Sequence, residues 1–159
     1  MNTAIIYATK HGTTEKVAEI IKNKLTNGNT TLINITENES VEIKKFDRII
    51  IGSSIYGGFI HKDIKLFIEN NMIELLQKEV GLFTCGMFFE KAYENIDKNF
   101  PEILRVHAKS KHPMGGEFLF EKMNFIERFL VKKISGAKKS VSKIDEKCIE
   151  EFISEINNN

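Results

Sequence analysis

The chain has 159 residues, enough for one domain whose core needs no disulfide or metal staple. Lys and Arg number 23 against 22 Asp and Glu, a net charge of +1 that gives nucleic-acid binding no global electrostatic support. Cys85 and Cys148 make no disulfide framework, and His11, His61, His107 and His112 show no metal-ligand spacing, so no metal site is expected. No signal peptide and no bilayer-length apolar run is read in the chain, so a cytoplasmic protein with reduced thiols is expected.

The elements then alternate. Thr3-Ala4-Ile5-Ile6-Tyr7-Ala8 reads as a buried strand. Thr9-Lys10-His11-Gly12-Thr13-Thr14 follows as a hydroxyl-rich loop, and Val17, Ile20, Ile21 and Leu25 mark one face of the next helix. Thr31 to Ile35 is a second strand. Arg48-Ile49-Ile50-Ile51-Gly52 is a third, apolar enough to be covered on both faces as in a parallel sheet. Ser53 to Gly58 reads as a loop, and Ile64, Phe67 and Ile68 mark a helix. Val80 to Cys85 is the fourth strand, followed by a loop from Gly86 to Glu90 and a helix carrying Tyr93, Ile96 and Phe100. Pro101 suits the first turn of a short helix bearing Ile103, Leu104 and Val106. A fifth strand falls near 111–117, interrupted by Pro113 and two glycines. Ser142 is the expected N-cap of the closing helix, whose buried stripe is Ile149, Phe152, Ile153 and Ile156, with Cys148 in its core. Asn157 to Asn159 reads as a frayed tail.

Alternating strands and helices imply an α/β fold: a doubly wound five-stranded parallel sheet in one domain, 1–159, with right-handed crossovers. Ligands of such sheets sit outside the carboxyl ends of the strands, where chain order reverses. A strand that turns through Thr and Gly into a helix aims hydroxyls and free N–H groups at one point, which attracts an anion. The same Thr13 or Thr14 would also serve as a simple helix cap.

The Thr9–Thr14 loop resembles the phosphate loop of the flavodoxin family, Thr/Ser-x-Thr-Gly-x-Thr, with His11 where a Thr is usual. The resemblance runs over essentially the whole chain. It implies the flavodoxin-like strand order 2-1-3-4-5 and a bound flavin mononucleotide, FMN. Thr9, Lys10, His11, Gly12, Thr13 and Thr14 would hold its phosphate. Ser53, Ser54, Ile55, Tyr56, Gly57 and Gly58 on one side, and Cys85, Gly86, Met87, Phe88 and Phe89 on the other, would sandwich the ring. Tyr56 is expected to stack on one ring face, and Phe88, Phe89 or Tyr93 to cover the other, unless these aromatics are ordinary packing residues. By the same resemblance the Gly57 carbonyl turns toward the ring nitrogen that is protonated on reduction, which biases the redox potentials. Cys85 is either a reactive thiol beside the ring or a buried small hydrophobe.

Gly115-Gly116-Glu117-Phe118, then 121–129 and Ile134-Ser135-Gly136, are similar to the menaquinone-dependent protoporphyrinogen oxidase branch, as is Ile51-Gly52-Ser53-Ser54-Ile55. That branch carries an aromatic, basic helical insert before its last helix, here about 118–137. Met123, Ile126, Leu130 and Ile134 recur at helical spacing beside Arg128, Lys132 and Lys133. Such a segment suits a peripheral membrane contact, a quinone, a tetrapyrrole carrying carboxylates, or a redox partner protein. It equally suits a helix packed on its own domain, with Lys stems along its sides. The resemblance thus implies an FMN-dependent oxidoreductase that passes electrons from a tetrapyrrole to a quinone. The alternatives are a plain flavodoxin carrier, whose usual acidic surface this chain lacks, and a flavin-free interaction module. No residue stands out as a general acid or base.

Overall fold

The computed structural model describes every residue except Asn38, Glu39 and Asn159. β1 (Asn2–Ala8), β2 (Asn29–Asn34), β3 (Arg48–Tyr56), β5 (Glu79–Cys85) and β6 (Ser110–Pro113) form one parallel sheet in the order β2-β1-β3-β5-β6. β4 (Phe59–Ile60) pairs antiparallel with the end of β3. Without that hairpin strand, the order is the expected 2-1-3-4-5.

Alternation along the strands divides the core between two faces. Ala4, Ile6 and Ala8 of β1 face α2 (Lys62–Leu75), α3 (Ala92–Asn99) and α4 (Glu102–His107) through Ile64, Phe67, Ile68, Ile96 and Leu104. Ile5 and Tyr7 face α1 (Thr13–Lys24) and α6 (Glu146–Asn157) through Val17, Ile21, Ile149, Phe152 and Ile156. Phe83 and Phe152 meet edge to face, with centroids 6.3 Å apart, and each contributes about 1.5–3 kcal/mol by burial. Only Leu104 of the α4 trio is buried; Ile103 and Val106 stand in solvent.

At the lower end of the sheet Arg48 is almost fully buried. Its guanidinium pairs with Glu79 at 2.8 Å and donates to the Ile156 carbonyl at 2.9 Å. This joins β3, β5 and α6 at one point.

Several expected boundaries move. The Ser53–Gly58 segment is not a loop throughout: β3 continues to Tyr56, and only Gly57 and Gly58 turn. Both have positive φ, 59° and 85°, as a tight hairpin turn between antiparallel strands requires. The fifth strand is split at Met114. Residues 110–113 belong to the parallel sheet, whereas β7 (Gly115–Phe118) pairs antiparallel with β8 (Val141–Ile144). Ser142 lies inside β8 and caps nothing; Asp145 caps α6 by accepting from the Cys148 N–H at 3.0 Å. The helix continues through Asn157, so no frayed tail begins there; Asn159 lies outside the described residues.

Between β7 and β8 runs α5 (Phe125–Ser135). Asn124 and Glu127 cap it reciprocally, and Gly136 ends it, so Met123 precedes the helix. Glu127 is its one buried residue; Phe125, Ile126, Phe129, Leu130 and Ile134 are exposed. The helix does not bury its apolar face on its own domain. Among the described residues, no helix is long and apolar enough to cross a membrane.

Candidate functional site

The site lies at the carboxyl ends of β1 and β3, where strand order reverses. β1 delivers the chain into the 9–12 loop. Thr9 Oγ1 accepts from the Gly12 N–H at 2.9 Å, which tightens the turn. Gly12, at φ 95°, is the N-cap of α1 and makes no side-chain cap. Neither Thr13 nor Thr14 caps the helix, so their hydroxyls remain for other partners. Thr14 is fully buried, and its Oγ1 has no hydrogen-bond partner among the described residues. An unmade hydrogen bond of this kind costs about 1–3 kcal/mol. Thr13 Oγ1 reaches Glu117 Oε2 at 3.4 Å, a long contact for a hydroxyl donor.

Two carboxylates close over this loop. Glu117, from β7, pairs with Lys16 at 2.9 Å. Glu127, from α5, lies 2.6 Å from Lys10 Nζ and 3.6 Å from His11 Nε2. Burial works against the charge on both, but hydrogen bonds from Lys16, Ser142 and Thr13 hold Glu117 below the usual carboxylate range. Hydrogen bonds from Lys10 and the Asn124 backbone do the same for Glu127. Lys10 also stands 3.5 Å over the Tyr56 ring; burial lowers its pKa, and Glu127 and Tyr56 together more than reverse this. Lys122 hangs above the loop as well, since a Cβ on Gly12 would lie 2.8 Å from its Nζ. The loop therefore gathers cations, free hydroxyl capacity and a helix N-terminus at one point, with two protein carboxylates already drawn to it.

Beside the loop opens a cleft of about 590 Å³. His11 and Thr13 form its floor, Ile55 to Gly58 one wall, and Cys85 to Phe88 the opposite wall. Asn99 braces the first wall: its Nδ2 donates to the Gly58 carbonyl at 2.9 Å, and its Oδ1 accepts from Ile60 N–H. The third wall comes from the 115–144 segment, through Glu117, Met123, Glu127, Leu130, Val131 and Ile134. Tyr56 and Phe88 are each more than half exposed at the rim, so neither is core packing.

The other expected residues stand elsewhere. Thr9, Lys10, Gly12 and Thr14 shape or flank the loop without lining the cleft. Ser53 is buried in β3, where its Oγ accepts from the His61 N–H and donates to the Ser54 carbonyl, tying the start of α2. Ser54 does not reach the cleft. Phe89 lies outside it, near Lys143 at 5.8 Å. Tyr93 turns away from the cleft and meets His112, 3.3 Å from its Nδ1. Cys85 does line the cleft; burial pushes its thiol up to about 12, so it is a protonated hydrophobe rather than a nucleophile. Cys148 is half-buried rather than core. Glu117, Glu127 and Asn99 had no sequence signal as site residues. Glu121 stands between the two glutamates in the same basic stretch, so nothing in the sequence singles them out.

The Flavodoxin domain family matches residues 4–145. No curated protein matches the chain. Among solved structures, oxidised Flavodoxin 1 from Bacillus cereus aligns with TM-score 0.56 at 18% identity, over 98% of this chain and 97% of its own. Rubredoxin oxygen:oxidoreductase from Desulfovibrio gigas aligns with TM-score 0.59 at 11% identity over 98% of this chain. The flavodiiron core Flv1 from Synechocystis aligns with TM-score 0.54 at 23% identity over 73% of this chain. The chain spans only 34% and 30% of those last two proteins. These likenesses show the fold, and together with the match over 4–145 they place the chain in the flavodoxin domain family.

Proposed function

We propose that the protein binds FMN in the cleft and transfers electrons to and from a redox partner. The observation that carries this reading is the apolar cleft between the Ile55–Gly58 and Cys85–Phe88 walls, opening directly beside the free hydroxyl of Thr14 and the N-terminus of α1. The donor set fits a flavin phosphate: Thr13 and Thr14 hydroxyls, the amides of the loop, Lys10 and His11. Bound FMN supplies the electron-transfer chemistry. Tyr56 and Phe88 would flank the ring, and the apolar walls keep water from it. The Gly57–Gly58 turn, braced by Asn99, sets the position of the backbone carbonyls at the ring edge. Lys10 and His11 would exchange part of their contact with Glu127 for the phosphate.

A finer reading concerns the acceptor. Leu130, Val131 and Ile134 give the cleft an outer apolar wall supplied by the segment that resembles the protoporphyrinogen oxidase insert. This favours a small apolar acceptor such as a quinone, entering against α5; the comparisons carry the flavodoxin family and not that branch.

The test is a visible absorption spectrum of the purified protein before and after FMN and then dithionite. Flavin bands that shift on binding and bleach on reduction are expected. Absence of bound flavin, with no quenching of FMN fluorescence on titration, would overturn the reading. Quinone turnover that persists in full after Leu130→Glu would overturn the finer one.

A further inference from the structure

A second cluster lies away from the cleft, where α6 crosses β6. One ligand atom each from His112, Cys148 and Glu151 lies within 4.8 Å of the other two. His112 is buried, and Phe152 and Tyr93 hold its ring edge-on at 6.4 Å. Its Nε2 is 3.1 Å from Glu155 Oε2, and the same carboxylate oxygen accepts from Ser110 Oγ at 2.7 Å. An ionised carboxylate only accepts, so Nε2 carries the proton and Nδ1 keeps its lone pair. A carboxylate behind an imidazole is the arrangement that orients a metal-ligating histidine.

The surroundings point the same way. Cys148 and Glu151 sit one turn apart on α6 and face β6 together. Asp145, Cys148, Glu151 and Glu155 converge, and the Tyr93 hydroxyl feels all of them. Two cations stand nearby: Lys147, whose ammonium pairs with Glu151 at 3.6 Å, and Lys111, which helps to hold Glu155 charged. One thiol, one imidazole and one carboxylate form a borderline-soft set. Magnesium and calcium prefer oxygen alone, whereas zinc takes this mixture.

We propose that His112 Nδ1, Cys148 Sγ and a Glu151 carboxylate oxygen bind a zinc-class divalent cation, with Glu155 as the positioning residue. On binding, the Cys148 S–H bond breaks, its proton leaves to solvent, and the sulfur lone pair goes to the cation; nothing is oxidised or reduced. Tyr93 then yields its contact with Nδ1. The cation would tie α6 to the edge strand of the sheet.

Cobalt(II) titration of the full chain, read as difference spectra and followed by zinc competition, tests this. A thiolate-to-cobalt charge-transfer band that zinc removes is expected. Cys148→Ser should abolish the band, and Cys85→Ser should keep it. Glu151→Gln changes an exposed side chain and should weaken binding with the fold intact by circular dichroism. Glu155→Gln should weaken binding about 10–100-fold while keeping the band, an effect that loss of packing would not produce. No thiolate band in the native protein, a band that survives Cys148→Ser, or unchanged affinity in Glu151→Gln would each overturn the site.

Discussion

The parallel sheet and the 115–144 segment are organised in opposite senses. In the sheet, apolar residues are inside: Ile5, Ile6, Ile50, Ile51 and Phe83 are fully buried. In the segment, Phe125, Ile126 and Phe129 face solvent while the side chains of Glu117 and Glu127 are 4% and 9% exposed. The sheet is held by area removed from water, a term spread over many residues. The segment is held by an antiparallel ribbon and by a few charged contacts to the 9–16 stretch. A region of the first kind resists single changes in proportion to volume lost. A region of the second kind can be released by one carboxylate.

The sharpest way to break the contrast is to damage both regions. Phe83→Ala should cost about 3–5 kcal/mol, seen as a large fall in denaturant midpoint. If it cost no more than a change in α5, the core would not be the dominant source of stability. Asp145→Ala removes the cap of α6 and should cost about 1 kcal/mol by the same measurement. Glu127→Gln should leave the denaturant midpoint of the sheet nearly unchanged but speed proteolytic cutting within 119–140. It should also tighten FMN binding, by about tenfold or roughly 1.4 kcal/mol, because the phosphate no longer meets a buried carboxylate. Weaker FMN binding in that variant would mean that Glu127 presents Lys10 to the phosphate rather than competing with it.

Acid should separate the regions too. Glu117 and Glu127 have folded pKa values below their unfolded ones. Their stabilisation is present above the unfolded carboxylate range, near 4, and is lost as pH falls through the lower folded values. Amide exchange in 115–135 should therefore rise at a pH where β1 and β3 remain protected. The most local effect belongs to Gly57→Ala. A Cβ there meets nothing within 4 Å, so the cost is the positive φ alone, about 1–2 kcal/mol. It should shift the flavin midpoint potential; an unchanged potential would remove the Gly57 peptide from redox tuning.

What could be read from the sequence follows the same division. The strands and helices were legible because burial marks them with apolar runs such as Ile49-Ile50-Ile51 and helical stripes such as Ile149/Phe152/Ile156, whereas the strand order followed from the resemblance to the flavodoxin family. The β7–β8 ribbon was not legible. Val141-Ser142-Lys143-Ile144 has too little alternation to show a strand, and Ser142 three residues before Asp145 imitates a helix cap. The helical period of α5 was legible, but its direction was not, since an apolar stripe says nothing of what covers it. Tyr93 and Cys148 were misplaced for another reason. Their partner His112 lies on a distant strand, and no spacing along the chain announces that meeting.

The ends of the ribbon carry one more consequence. Asp145 N–H donates to the Met114 carbonyl at 2.9 Å, and Gly115 is opposite Ile144. The chain thus departs from the sheet and rejoins it at nearly one point. A short turn joining Met114 to Asp145 would keep β6 and α6 in place with everything between them removed. Residues 115–144 are in that sense a cassette, replaceable by another of different length or chemistry at little loop-closure cost. One scaffold thus takes a different outer wall for its cleft when a single stretch of chain is exchanged.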